Sequence, residues 1–228
     1  MDTSDCEHIG QGLLAQPVNT LSSLAYVVAG ILLLRRALVA RSSQRLVLTV
    51  YAAAVVAVGL GSVAFHGPMP SWGRFTHDVS IAAVLAFVIG YDVALVRGGS
   101  TRSAFMGFGA LLGVSAIVLA ESPDASNALD SVLVVAAVIA EVVVARSPKR
   151  VAAAGGFVRG LSFWIVGAAA LAVGAALNAL GRTAGPLCEP DSLVQLHGVW
   201  HVVTAVVLWM YGAGVLEPRE HARRIIPA

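Results

Sequence analysis

The chain has 228 residues, of which 57% are hydrophobic and only 12% charged, with a formal net charge of +2. A soluble domain carries roughly 25% charged residues, and so few charges cannot cover the surface of so apolar a chain, which excludes a soluble globular protein. The small net charge also argues against a nucleic-acid-binding protein. We therefore expect an integral membrane protein with the lipid bilayer as its solvent.

Seven stretches come close to the length and apolarity that a membrane-spanning helix needs, about 20 apolar residues. Short connections rich in Gly, Pro and Ser separate them, as in an up-and-down bundle of antiparallel helices. The sequence predicts an all-α membrane protein with one seven-transmembrane domain over residues 1–228. The predicted helices are Val18–Leu34, Leu46–Phe65, Phe75–Val96, Ser103–Ala120, Ala125–Ala145, Phe157–Leu180 and Leu193–Leu216.

Basic residues fall almost entirely on one side of this predicted bundle. Thirteen of the 15 Lys and Arg residues lie at the inner ends of the helices and in the C-terminal tail, and only Arg74 and Arg182 lie on the other side. Because basic residues mark the cytoplasmic side, we expect the N-terminus outside and the C-terminus in the cytoplasm. The abundance of alanine, valine and arginine favours a bacterial plasma membrane.

The two cysteines both fall on the predicted outer side. Cys6 lies in the N-terminal segment and Cys188 in the connection before the last helix. The outside of a bacterial membrane is oxidising enough to keep a disulfide, which favours a Cys6–Cys188 bridge. Two unrelated thiols are the alternative.

Ionisable side chains gather at the outer ends of three predicted helices, where such groups are costly and mark functional sites. His66 ends the second helix, Asp78 lies one turn into the third, and His197 and His201 open the seventh. The last two are four residues apart, so their imidazoles share one helix face. Three histidines with a fourth position left for water are typical of catalytic zinc. The sequence therefore predicts zinc on His66, His197 and His201.

Two further residues suit hydrolysis at such a site. Asp78 would take a proton from water activated by zinc, and the hydroxyl of Ser62 would hydrogen-bond a developing oxyanion. Each feature alone has an ordinary explanation as a packing or capping residue, and their coincidence at one depth indicates the site. His77 is expected to point about 100° away from Asp78, and Glu141 is expected near the end of its span, at the membrane interface.

Five parts of the chain together form a recognisable pattern: Cys6-Glu7, Gln16–Leu24, Gly61–His66, Asp78 and His197–His201. Taken together, these segments resemble the alkaline ceramidases, in a superfamily that also holds adiponectin-type receptors and membrane hydrolases of glycolipid anchors. The resemblance implies a seven-helix bundle that holds zinc through one histidine of the second helix and two of the seventh. It also implies a serine and an aspartate beside the metal, and hydrolysis of a lipid amide by zinc-bound water.

Carried over to this chain, the resemblance assigns the roles that the residues themselves suggest. It implies a bridge between the N-terminal cysteine and the one before the last helix. Eukaryotic members also hold calcium through an N-terminal acidic cluster, which is reduced here to Asp5 and Glu7, with Gln16 where a family glutamate is expected. Calcium prefers six to eight oxygen ligands, so calcium is not predicted. The implied zinc ligands are His66, His197 and His201, with Ser62 and Asp78 beside them.

Two function classes fit these residues. The first is a zinc-dependent amidohydrolase acting on an N-acyl membrane lipid, and the second is a seven-helix receptor or sensor with a structural or vestigial metal. Ser62 and Asp78 favour the enzyme, because a purely structural site needs no open position with a base beside it. The sequence indicates neither the head group, nor the acyl chain, nor the oligomeric state.

Overall fold

The computed structural model describes residues 5–40, 42–153, 156 and 159–215. A short 3₁₀ turn, Pro123–Ala125, precedes the fifth helix. All of the helices except the six-residue Pro148–Ala153 are long and apolar enough to cross a membrane. The helices are α1 Pro17–Val39, α2 Ser42–His66, α3 Gly73–Val96, α4 Thr101–Glu121, α5 Ser126–Ala145, α6 Pro148–Ala153, α7 Leu161–Leu180 and α8 Leu196–Val215.

All seven predicted spans are present, which confirms the all-α, multi-pass membrane fold. The short α6 was not predicted, and the predicted ends at residues 157 and 216 lie outside the described residues. The predicted start of the last helix at Leu193 is wrong, because the backbone N–H of Val194 donates to the Ser192 hydroxyl (3.0 Å) and holds a turn there. The C-terminal tail, residues 216–228, also lies outside the described part, and the orientation of the termini stays a prediction.

Glycines allow four helices to approach closely at the end of the bundle that carries the histidines. A Cβ atom on Gly59 would lie 2.9 Å from the backbone nitrogen of Val27, which shows how closely α1 and α2 pack. A Cβ on Gly61 would lie 2.7 Å from the carbonyl oxygen of Thr76 in α3, and one on Gly198 of α8 would lie 3.1 Å from Ser22 Oγ of α1. Small residues serve this purpose in membrane proteins, where apolar burial does not drive helices together. The close approach brings polar side chains of α1, α2, α3 and α8 to one place.

The helices differ greatly in burial. The span of α3 is 61% buried inside the bundle, whereas that of α7 is only 6% buried. Tyr51 and Val55 of α2 and Leu33 of α1 are fully buried in the main core, which α3 and α8 complete. The outer surface of α7 is left to lipid, and the site described below belongs to the well-packed half of the bundle.

Candidate metal centre

Three histidines from two helices meet at one end of the bundle. His66 is the last residue of α2, and His197 and His201 lie in the first two turns of α8. One ring nitrogen of each lies within 4.8 Å of those of the others, and the ring centroids are 4.5 to 5.2 Å apart. His66 and His201 are buried, and the side chain of His197 is 14% exposed. The structure therefore brings together the three residues that were predicted to bind zinc.

Side-chain amides orient two of these rings. His66 Nδ1 lies 2.6 Å from Gln16 Oε1, and His197 Nδ1 lies 2.9 Å from Asn178 Oδ1. The Gln16 assignment is consistent, because its Nε2 donates to the carbonyl oxygen of Glu7 (3.0 Å). An amide oxygen only accepts, so each Nδ1 carries the proton and each Nε2 has a free lone pair. Both Nε2 atoms are buried and have no hydrogen-bond partner among the described residues.

The third ring has the same tautomer for a different reason. Ser22 Oγ donates to the carbonyl oxygen of Asn19 (3.0 Å), which uses its single hydroxyl proton. The contact between Ser22 Oγ and His201 Nδ1 (3.0 Å) must then run the other way, with Nδ1–H as the donor. All three rings are therefore held at Nδ1 and leave Nε2 for a ligand, the arrangement in which neutral imidazoles bind metals.

This donor set fits zinc. Zinc takes neutral imidazole nitrogens, and three protein ligands leave one position open for water or substrate. Asp5 adds a negative charge beside the cluster, with carboxylate oxygens 3.6 Å from His197 Nδ1 and 4.0 Å from His66 Nδ1. Sequence reasoning gave Asp5 no part in this site, because its place depends on how the N-terminal segment folds over the helices.

Asp78 lies in the first turns of α3 and is held by two neighbours. Its Oδ1 accepts from His77 Nδ1 (2.8 Å), and its Oδ2 lies 3.8 Å from Arg74 Nε. The expectation that His77 points away from Asp78 is wrong, because the His77 ring stacks on Phe65 with 4.8 Å between centroids and turns Nδ1 back toward the carboxylate. The rings of His77 and His66 are 6.0 Å apart, which puts this pair at the edge of the histidine cluster.

Ser62 lies one turn before His66 on α2 and is 1% exposed. Its hydroxyl lies 2.8 Å from Ser23 Oγ. Ser23 donates its own proton to the carbonyl oxygen of Asn19 (2.6 Å), so the Ser62 hydroxyl donates to Ser23. The structure thus places Ser62 beside the histidine cluster, with its hydroxyl proton donated to Ser23. Residue spacing alone could not indicate this hydrogen bond.

The N-terminal segment is pinned across the same end of the bundle. Cys6 and Cys188 form a disulfide, with 5.6 Å between their Cα atoms, which confirms the predicted pairing. The next residue, Glu7, accepts from the backbone N–H groups of Val18 (2.7 Å) and Asn19 (2.8 Å) through its two carboxylate oxygens. A carboxylate at a helix N-terminus satisfies otherwise unpaired donors, so Glu7 caps α1.

A comparison with protein families places this architecture. The family model described as Ceramidase matches residues 6–219. The chain belongs to the ceramidase family. No curated protein and no solved structure matched it. The match extends from the disulfide-bonded Cys6 through α8, so it includes every residue of the site described above except Asp5.

This ceramidase-family protein has a second polar cluster, which lies near the C-terminal end of α3, away from the histidine cluster. Arg159 Nη1 lies 3.1 and 3.3 Å from the carboxylate oxygens of Glu141 and 3.9 Å from Asp92 Oδ1. Tyr211 donates to the same Asp92 oxygen (3.2 Å), and the guanidinium lies 4.7 Å from the Tyr211 ring centroid. Burial opposes the charge on Arg159, but Tyr211, Glu141 and Asp92 outweigh it and raise the pKa of the guanidinium, so it stays charged.

Sequence reasoning missed this second cluster. Glu141 lies near the C-terminal end of α5, as expected, but its side chain is only 15% exposed and pairs with Arg159, which was not predicted. The signal was present in two acidic residues inside apolar spans, Asp92 and Glu141, since buried carboxylates need a cationic partner. The partner could not be identified from spacing, because Arg159 precedes α7 and reaches back across the chain to α3 and α5.

Proposed function

We propose that this protein is a zinc-dependent amidohydrolase that cleaves N-acyl membrane lipids. The observation that carries the proposal is the convergence of three imidazoles, each held at Nδ1, with the Nε2 atoms of His66 and His197 buried and unpaired. Leaving buried polar atoms unpaired costs free energy, so such atoms indicate a ligand. Membership in the ceramidase family supports a lipid amide as the substrate.

The residues around the histidines suit this chemistry. Zinc held by the three rings would supply a Lewis acid for the amide carbonyl and would lower the pKa of water. Asp78 would hold the proton that water loses and pass it to the leaving amine. The bond from His77 fixes one oxygen of that carboxylate and Arg74 lies beside the other, so Asp78 is oriented before substrate arrives. Ser62 would stabilise the oxyanion once its proton turns from Ser23 toward the substrate.

We further propose that the site lies in the outer leaflet of a bacterial plasma membrane. The count of basic residues supports this orientation. A lipid amide lies near the head-group boundary, so a substrate would reach the site laterally without leaving the bilayer. Reporter fusions test the orientation, and a fusion after Arg45 should read cytoplasmic while one after Ser71 should read external. A cytoplasmic signal after Ser71 would reverse the assignment.

Product analysis tests the proposed reaction. Purified protein in lipid nanodiscs, loaded with zinc or stripped by a chelator, is incubated with a panel of N-acyl lipids, and released fatty acid and amine are identified by mass spectrometry. We expect equal amounts of both products from at least one lipid, only with zinc present. If no lipid amide is cleaved by zinc-loaded protein, the receptor or sensor becomes the better interpretation.

A further inference from the structure

One face of α1 carries a row of polar side chains that point at the metal centre. Gln16 bonds His66, Ser22 bonds His201, and Ser23 bonds Ser62. Asn19 lies three residues after Gln16 and four before Ser23, spacings that keep side chains on one helix face. Asn19 therefore faces the site between the contacts to His66 and those to Ser62.

Asn19 differs from its neighbours because its side chain has no partner. The residue is completely buried, yet neither Oδ1 nor Nδ2 makes a hydrogen bond within the described part of the chain. Its backbone is fully used, since the N–H donates to Glu7 Oε2 (2.8 Å) and the carbonyl accepts from Ser22 and Ser23. Buried polar side chains are almost always paired. A buried carboxamide without a hydrogen-bond partner, at this place beside the histidines, points to a ligand that pairs with it.

We propose that Asn19 binds the amide group of the substrate. A trans secondary amide holds its carbonyl and N–H on opposite sides, so a carboxamide pairs with only one of them. With the carbonyl left to the proposed zinc, Asn19 Oδ1 would accept from the substrate N–H. The inference rests on the proposed function and deepens it, because it names the residue that recognises the bond to be cleaved.

The pairing has a consequence for selectivity. An ester presents a carbonyl but no N–H, so an ester lipid would leave Asn19 Oδ1 buried without a donor. Sites that hydrogen-bond a substrate group discriminate against analogues that lack it, because the protein atom is then left unpaired. Asn19 should therefore favour an N-acyl lipid over its O-acyl counterpart of the same chain length.

A pair of leucine substitutions separates this role from a structural one. Asn19→Leu removes an amide without partners, so it should leave the melting temperature unchanged or raise it. Gln16→Leu is the matched control, since Gln16, the residue before α1, is also a buried amide but bonds both His66 and Glu7. Gln16→Leu should lower the melting temperature. Asn19→Asp keeps the size and the acceptor but lacks the N–H donor.

Binding is measured on the zinc-loaded full chain in nanodiscs with a fluorescent urea lipid, which keeps the carbonyl and N–H but resists hydrolysis. We expect both Asn19 variants to retain wild-type zinc content. Asn19→Leu should bind this probe roughly tenfold more weakly, the effect of one net hydrogen bond, and Asn19→Asp, which keeps the acceptor, should bind it more tightly than Asn19→Leu. For lipids that wild type cleaves, the preference for amide over ester should fall by a similar factor in Asn19→Leu.

Two outcomes would overturn the assignment of Asn19. In the first, Asn19→Leu destabilises the protein as much as Gln16→Leu and binds the urea lipid normally, which would mean that Asn19 has a structural partner. In the second, both Asn19 variants match wild type in stability and in binding. Wild-type protein that fails to bind the urea lipid at all would instead count against the proposed lipid-amide function.

Discussion

Two clusters of polar side chains are buried within the described part of the bundle, and their polar atoms are paired in opposite ways. In the histidine cluster, three neutral rings are anchored at Nδ1 by Gln16 and other polar side chains, and the unpaired nitrogens of His66 and His197 face a common centre. In the second cluster, the inner cluster of Asp92, Glu141, Arg159 and Tyr211, the Arg159 guanidinium already fills the centre between the carboxylates of Glu141 and Asp92. The histidine cluster leaves ring nitrogens that could hold a cation, and the second cluster has a guanidinium at its centre.

This contrast distinguishes a binding site from a structural ion-pair network. Buried polar side chains in a membrane protein usually indicate a functional site. Whether they do so here depends on which of their polar atoms have no hydrogen-bond or ion-pair partner. In the inner cluster, the unpaired atoms are Asp92 Oδ2 and Arg159 Nε, and both belong to groups that are paired through other atoms. In the histidine cluster, the unpaired atoms are the very nitrogens that bind metals. The predictions below test this difference.

The largest effect is expected from removing the histidines. The double variant His197→Ala/His201→Ala should lose nearly all zinc, because a single remaining imidazole cannot hold the ion against water. Elemental analysis of purified protein measures this, with about one zinc per chain expected for wild type. His8→Ala is the control, since His8 is exposed and outside the cluster. Full zinc content in the double variant would contradict the metal site.

Asp78→Asn should separate catalysis from metal binding. We expect zinc content to stay at the wild-type level while hydrolysis of a cleavable lipid falls roughly 10²–10⁴-fold, the usual contribution of a general acid–base. Asp124→Asn is the control, because the Asp124 carboxylate is 98% exposed and contacts the same Arg74 at 3.2 Å. Wild-type turnover by Asp78→Asn would remove Asp78 from the mechanism, and loss of zinc would make it a ligand.

In the inner cluster, the expected loss is of stability and not of metal. Arg159→Met leaves Asp92 and Glu141 buried without a counter-charge, which should lower the free energy of unfolding by about 3–5 kcal/mol. Adding Asp92→Asn and Glu141→Gln should restore most of it, because neutral groups cost less to bury. Denaturation in detergent micelles measures both, and zinc content should not change. A triple variant as unstable as the single one would contradict the prediction that Arg159 stabilises the fold by pairing with the two carboxylates.

The sequence predicted the fold and the ligand candidates well, for identifiable reasons. A membrane span is a long apolar stretch, so all seven were found, and His197 and His201 share a helix face whatever the bundle looks like. It could not predict relations that depend on how helices meet. The ring of His77 is turned by Phe65 from another helix, and Arg159 reaches carboxylates on two others. The absence of hydrogen-bond partners for the Asn19 side chain among the described residues can be recognised only in the three-dimensional structure.

The smallest of the predicted effects concerns Gln16, whose role has no counterpart in the inner cluster. Neutral rings do not attract one another into place as opposite charges do, so the histidine cluster needs fixed acceptors, and Gln16 Oε1 holds His66 at 2.6 Å. Gln16→Ala should weaken zinc binding roughly 10–100-fold, the usual effect of losing such a partner. Competition with a chelator of known affinity measures this.

Gln16→Glu sharpens the same test, because a carboxylate still accepts from His66 Nδ1–H but cannot donate to the carbonyl oxygen of Glu7. This variant should keep zinc affinity near the wild-type level while losing stability through the unpaired Glu7 carbonyl. Tyr51→Phe is the control for one buried hydrogen bond lost elsewhere, since Tyr51 donates to the carbonyl oxygen of Leu208 (2.8 Å). If Tyr51→Phe weakens zinc binding as much as Gln16→Ala does, the effect is one of general stability. Gln16 would then have no specific part in orienting His66.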